Sequence, residues 1–152
     1  MKTIYNKFKN TVNKLDDVSL LFFRLILAYG FYKPAILKLK DVHAIGDWFA
    51  SLHYPLPYLN AWLATATETS GIVLLVIGLG VRIISIPLMI TMLVAIFTIH
   101  FDNGFTAGNN GFEIPLYNLL ILFTLLAHGA GKYSLDQLIA EKKLSGISHR
   151  NS

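Results

Sequence analysis

Four stretches of the sequence, 18–37, 58–79, 83–101 and 112–130, are apolar almost from end to end. Each approaches the roughly 20 residues that an α-helix needs to cross the hydrocarbon of a bilayer. Only "GLGVR" separates the second stretch from the third, so these two are expected to form a tight antiparallel hairpin. Outside the stretches the pattern becomes amphipathic. Ile4, Phe8, Val12 and Leu15 recur at helical spacing among lysines, as do Val42, Ile45, Trp48, Phe49 and Leu52 in the first long connection. Both segments are expected to be short helices lying on the membrane surface. "HYPLPY" then turns the chain back, and Tyr54, Tyr58 and Trp62 suit an interfacial aromatic belt. Gly129 and Gly131 end the fourth stretch, and Ser134 with Gln137 has the spacing of a capping box for a last helix. The pattern predicts an all-α, four-transmembrane-helix antiparallel bundle with interfacial helices at the N-terminus, in the first outer loop and at the C-terminus. It divides the chain into an amphipathic segment (1–17), a membrane domain (18–131) and a tail (132–152).

Composition supports the bilayer as solvent. Of the 152 residues, 54% are hydrophobic and 14% charged, against about 25% charged in soluble domains. A soluble chain of this length could not hide four such helices. The formal net charge of +4 is distributed unevenly. Lys2, Lys7, Lys9, Lys14, Arg82, Lys132, Lys142, Lys143 and Arg150 fall on one side of a four-span topology, and Lys33, Lys38 and Lys40 on the other. The positive-inside rule then makes both termini cytoplasmic, with Arg82 as a cytoplasmic anchor. The basic excess fits anionic lipid, and no nucleic-acid-binding signature is present. With no cysteine in the chain, disulfides, Cys-ligated zinc, iron–sulfur clusters and thiol redox steps of its own are excluded.

Ionisable residues inside a span are rare, and each is a functional candidate by default. Arg24 in the first stretch and Glu68 in the second stand out. Glu68 shares its helix face with Ala64, Gly71 and Gly78 and is surrounded by Thr65, Thr67, Thr69 and Ser70. Such small residues mark a helix–helix contact. Arg24 is the expected partner of Glu68, either as a pair fixing helix register or as one wall of a polar pocket. Lys33, nine residues further along, faces the other way and is expected to snorkel or to make a second contact. In the fourth stretch Glu113, Tyr117, Thr124 and His128 fall on one helix face. They form either a polar line or caps at the two ends. Arg24, Glu68, Lys33, Tyr117 and Thr124 are the expected intramembrane polar residues. His100, Asp102 and Glu113 form an expected outer-face cluster around the "NGFTAGNNGF" turn. No HExxH-type spacing is present, and Met89 and Met92 suit packing, so no metal site is expected.

Arg24 followed by "YGFYK" and "WFASLHYPLP", then "ATETSGIVLLVIGLGVR", "MLVAIFTIH" and "NGFEIPLYNLLILFTLLAHGAGKYSLD", resembles the DoxX family of small bacterial membrane proteins over roughly residues 20–136. The resemblance implies a four-helix bundle in the bacterial inner membrane. It implies characteristic positions at Arg24, Lys33, Glu68, Arg82, His100, Glu113 and the "GKYSLD" end. It also implies work beside a protein partner, or as a homo-oligomer, in a redox- or metal-linked pathway, with quinone as the one candidate cofactor. The alternative it leaves open is a non-enzymatic scaffold or small transporter assisting export or maturation of a metal-binding peptide.

Overall fold

A computed structural model describes residues 2–148, with side chains for 15–143. Six α-helices account for most of the chain: α1 (Lys2–Lys40), α2 (Val42–Ser51), α3 (Pro57–Ile77), α4 (Val81–Ala95), α5 (Glu113–His128) and α6 (Leu135–Ser148). The described residues contain no strand. A surface helix followed by a separate span was expected at the N-terminus, but α1 is one unbroken element of 39 residues. No Gly or Pro interrupts residues 2–29, so nothing in the backbone asks for a break. The face carried by Ile4, Phe8 and Val12 lies outside the described residues, as do the side chains of Lys2, Lys7, Lys9, Lys14 and Arg150. Pro34 is accommodated inside α1, where it withdraws one hydrogen bond from the Gly30 carbonyl.

Each turn has its own chemistry. Asp41 caps α2 by accepting the Ala44 N–H at 2.9 Å. Leu56 adopts a left-handed conformation (φ 49°) just before Pro57, which opens α3 at the position where a missing N–H costs nothing. The α3–α4 turn uses two left-handed glycines, Gly78 (φ 71°) and Gly80 (φ 59°), as the C-cap of one helix and the N-cap of the next. This is the tight connection read from "GLGVR". Past Ala95 the helix widens into a π-turn over Ile96–His100, then narrows to a 3₁₀ turn over Phe101–Asn103.

Three helical stretches are long and apolar enough to cross a bilayer: Leu15–Lys40, Pro57–Ile77 and Val81–Asn103. The fourth apolar helix, Glu113–His128, has 16 residues, or about 24 Å at 1.5 Å per residue. Gly129 (φ 85°) ends it two residues before the expected boundary. The main core gathers Leu27, Ala28, Phe31, Leu75, Val81, Leu88, Leu122 and Leu125 from α1, α3, α4 and α5. A satellite core of Val42, Phe49 and Ala61 seats α2 against α3. Trp48 on α2 and Leu52 at its C-cap point outward. The pattern of exposure is inverted relative to a soluble protein. Ile83 is 76% exposed and Phe97 66%, while Arg24 is 0% exposed. Lipid is the solvent in which that inversion is favourable.

Candidate functional site

Arg24 and Glu68 are both buried, but they do not meet. Arg24 Nη1 donates to the Leu75 carbonyl at 3.3 Å and Nη2 to the Tyr133 carbonyl at 2.5 Å. Leu75 lies in the last turn of α3, where carbonyls lack intrahelical partners. The cation therefore caps that helix end and ties it to the segment ahead of α6. A Cβ at Gly78 would overlap the guanidinium, so the glycine gives Arg24 its room as well as its turn.

The same end of the bundle is closed by "GKYSLD". The Lys132 N–H donates to Asp17 Oδ1 at 2.9 Å. Asp136 accepts the Gly80 N–H at 2.8 Å and the Val81 N–H at 3.3 Å, capping α4 from a distant part of the chain. Its own N–H returns to the Gly78 carbonyl at 3.0 Å. Ser134 Oγ accepts the Gln137 N–H at 3.3 Å, which is half of the expected capping box. The Gln137 side chain turns instead to Glu141 at 3.0 Å. Arg82 donates to the Ala127 carbonyl at 3.2 Å, near the end of α5. Asp136→Ala removes the side-chain cap of α4 and is expected to cost about 1–2 kcal/mol. Chemical unfolding in detergent micelles measures it, and an unchanged midpoint would show that the cap is dispensable.

The partner of Glu68 is Lys38, with Nζ 2.5 Å from Oε1. The carboxylate side chain is 5% exposed and the lysine 19%. The expected Arg24–Glu68 pair is thus corrected. Arg24 is drawn to the backbone carbonyls at the α3 terminus, and Lys38 reaches Glu68 with its four-carbon stem. Glu68 Oε2 and Thr69 Oγ1 are buried without a hydrogen-bond partner, as is Arg24 Nε. Thr65, one turn before Glu68, spends its hydroxyl on the Ala61 carbonyl at 2.7 Å. Lys38 was read only as an outer-loop charge, although its spacing of 14 residues from Arg24 is four helical turns.

The remaining candidates do not join this pair. Lys33 is exposed. Tyr117 is exposed and donates to Glu113 Oε1 at 3.2 Å, and Thr124 bonds back to the Leu120 carbonyl at 3.0 Å. His128 Nδ1 lies 3.1 Å from the Thr124 carbonyl, so the polar line of α5 is a set of local contacts. At the other end of the bundle His100 Nδ1 lies 2.7 Å from the Asn110 carbonyl, and Glu113 Oε2 accepts the Ala107 N–H at 2.9 Å. Both hold the backbone of the 104–113 loop, and Asp102 is exposed beside it. Among the described residues, no three His, Asp or Glu side chains gather as metal ligands. Tyr54 donates to Thr98 inside the π-turn, linking the segment before α3 to α4.

An all-α membrane protein with apolar flanks, a cation clamped at one helix terminus and a carboxylate paired inside the bundle is the class these features define. The DoxX family model matches residues 19–101, and the chain belongs to that family. It is 34% identical over 132 residues to a Haemophilus influenzae protein described as "Uncharacterized protein", covering 82% of this chain and 85% of that one. It is 28% identical over 135 residues to the Bacillus subtilis (strain 168) protein named "Putative oxidoreductase CatD", covering 89% and 97%. No solved structure matches the chain.

Proposed function

We propose that this protein is a bacterial inner-membrane DoxX protein that serves as the membrane component of a redox- or metal-linked pathway, with quinone as the diffusible electron carrier. In this reading α5 is the fourth span of an antiparallel bundle. The bilayer thins locally, or flanking residues snorkel, to match its shorter length. Both termini are cytoplasmic, with 1–17 and 132–152 flanking the membrane domain 18–131. Arg82 and Lys132 at the termini's end support that orientation by the positive-inside rule. The redox assignment draws on family membership and on the name of the Bacillus subtilis relative.

The observation that carries the site is the buried Lys38–Glu68 pair with one carboxylate oxygen unpaired. A charge pair is held within the membrane only where geometry or function compensates its desolvation. A bound quinone would take its carbonyl hydrogen bond from Lys38, the partly exposed member of the pair, and its reduced form would donate to Glu68. The fit is chemical: one cationic donor, one free anionic acceptor, and the neighbouring Thr69 hydroxyl. The chain has no thiol to carry electrons, so the reductant belongs to a partner protein. Quinone titrated into the purified protein in nanodiscs is expected to bind saturably. Glu68→Gln is expected to weaken it by roughly tenfold, the loss of one hydrogen bond to a charged group. Absence of wild-type binding, with no effect on a partner's quinone reduction, would sink the redox reading. The scaffold alternative puts the weight on His100, Asp102 and Glu113. Alanine at those positions, compared with Glu68→Gln for loss of the cellular phenotype, separates the two readings.

A further inference from the structure

At the end of the bundle closed by "GKYSLD" lies an open depression of about 810 Å³. Arg82, His128 and Lys132 stand on its wall, with Gly129 between them in sequence. Asp17 and Asp136 also line it; Asp17 Oδ1 accepts the Lys132 N–H, and the two Asp136 oxygens accept the Gly80 and Val81 N–H groups. The basic side chains are less committed. Arg82 gives one N–H to the Ala127 carbonyl, and His128 uses Nδ1 on Thr124, leaving Nε2 open. The Lys132 ammonium makes no ion pair among the described residues and is exposed. Gly129 keeps the wall low: a Cβ there would lie 3.2 Å from Arg82 Nε.

A second groove, about 300 Å³, adjoins the first and shares Gly80 and Ile83 with it. Its other lining is Leu74, Leu79, Ile84 and Pro87, and almost none of it is polar. The depth of the pair is fixed by the helices. One apolar stretch ends at Ile77, the next starts at Val81, and α5 ends at His128. The basic depression therefore sits where apolar helix gives way to polar chain, and the greasy groove runs beside the 76%-exposed Ile83.

We infer that this two-part surface is a binding site for an anionic phospholipid. Its phosphate is held by Arg82 and Lys132, and an acyl chain lies along Leu79, Ile83 and Pro87. Arg82 and Lys132 attract the anionic headgroup, while Asp17 and Asp136 are turned to backbone N–H groups. The adjoining apolar groove selects an amphiphile over a free anion. The inference depends on the protein being in a membrane and not on its redox role.

The test uses the full chain purified in mild detergent. Phosphatidylglycerol, phosphatidylcholine or inorganic phosphate is added, and lipid retention is read by native mass spectrometry alongside thermal stability. Phosphatidylglycerol is expected to be retained and to raise the melting temperature, with phosphatidylcholine and inorganic phosphate doing neither. Lys132→Gln, which breaks no side-chain contact, is expected to weaken phosphatidylglycerol retention about fivefold, and Arg82→Gln with Lys132→Gln to weaken it further. The melting temperature in phosphatidylcholine reports whether each variant is folded. Equal retention of the two lipids overturns the proposal. So does a full stabilising effect from inorganic phosphate alone, or undiminished phosphatidylglycerol preference in a folded Lys132→Gln protein.

Discussion

Arg24→Ala is expected to destabilise the bundle by about 3–5 kcal/mol. The side chain is 0% exposed, so truncation leaves a cavity whose cost adds to the lost hydrogen bonds. The Leu75 and Tyr133 carbonyls lose their donors; a buried group left unsatisfied, as at Leu75, costs about 1–3 kcal/mol, and the part-buried Tyr133 carbonyl less. The C-terminal end of α3 also loses a cation placed where the helix dipole favours one. Arg24→Lys should recover less than half of the loss. A single ammonium cannot reproduce two guanidinium nitrogens aimed at carbonyls 58 positions apart in sequence, 75 and 133. The change is read from unfolding in mixed micelles. A difference from wild type below about 1 kcal/mol would mean that Arg24 is not the clamp of this end. A larger consequence is expected for topology: without the clamp, the segment before α6 keeps its hydrogen bonds to Asp17 and through Asp136 and the core contact of Ala130, but loses the bond between Arg24 and the Tyr133 carbonyl.

The apolar stretches were legible because the period and length of hydrophobic residues report the solvent directly. The glycines at helix ends, Gly78, Gly80 and Gly129, sit where their conformational freedom predicts, whereas the left-handed Leu56 before α3 carries no such signal. The short α5 was harder to read. Its start at Glu113, after the folded 104–113 loop, falls one residue inside the expected stretch, and Gly129 ends it at His128, two residues before the expected end. Partnership between polar residues was the least legible layer. Counting about 1.5 Å per helical residue from the ends of their stretches puts Arg24 and Glu68 about 9 Å apart along the membrane normal, near enough for two long side chains to meet. It ignored a competitor, the unpaired carbonyls at the end of α3, which lie closer to the level of Arg24. Lys38, one residue past the apolar stretch 18–37, reads from the sequence as an outer-loop charge. A lysine's flexible stem lets it reach inward from such a position as readily as it snorkels outward. Asp136 was invisible as a cap of α4, because a cap supplied from 56 residues away leaves no local spacing to read.

In a double-mutant cycle, Glu68 is expected to couple to Lys38 and not to Arg24. Glu68→Ala leaves the Lys38 ammonium without its partner and is expected to cost about 3 kcal/mol. That is the low end for breaking a buried pair, because the partly exposed lysine can swing outward. Lys38→Met with Glu68→Leu should recover most of the loss, since an apolar pair of similar volume needs no desolvation. The coupling between positions 38 and 68 is then about 1–3 kcal/mol, while that between 24 and 68 stays within about 0.5 kcal/mol, as for independent sites. The reverse result, strong coupling to Arg24 and none to Lys38, would restore the pair expected from helix depth and displace the one seen here. The cycle also separates architecture from activity. If the apolar double variant folds as well as wild type yet loses quinone binding, the pair is held in the membrane for its chemistry. If it folds and binds quinone unchanged, Lys38 and Glu68 serve only to set the register of α1 against α3, and the redox site lies elsewhere.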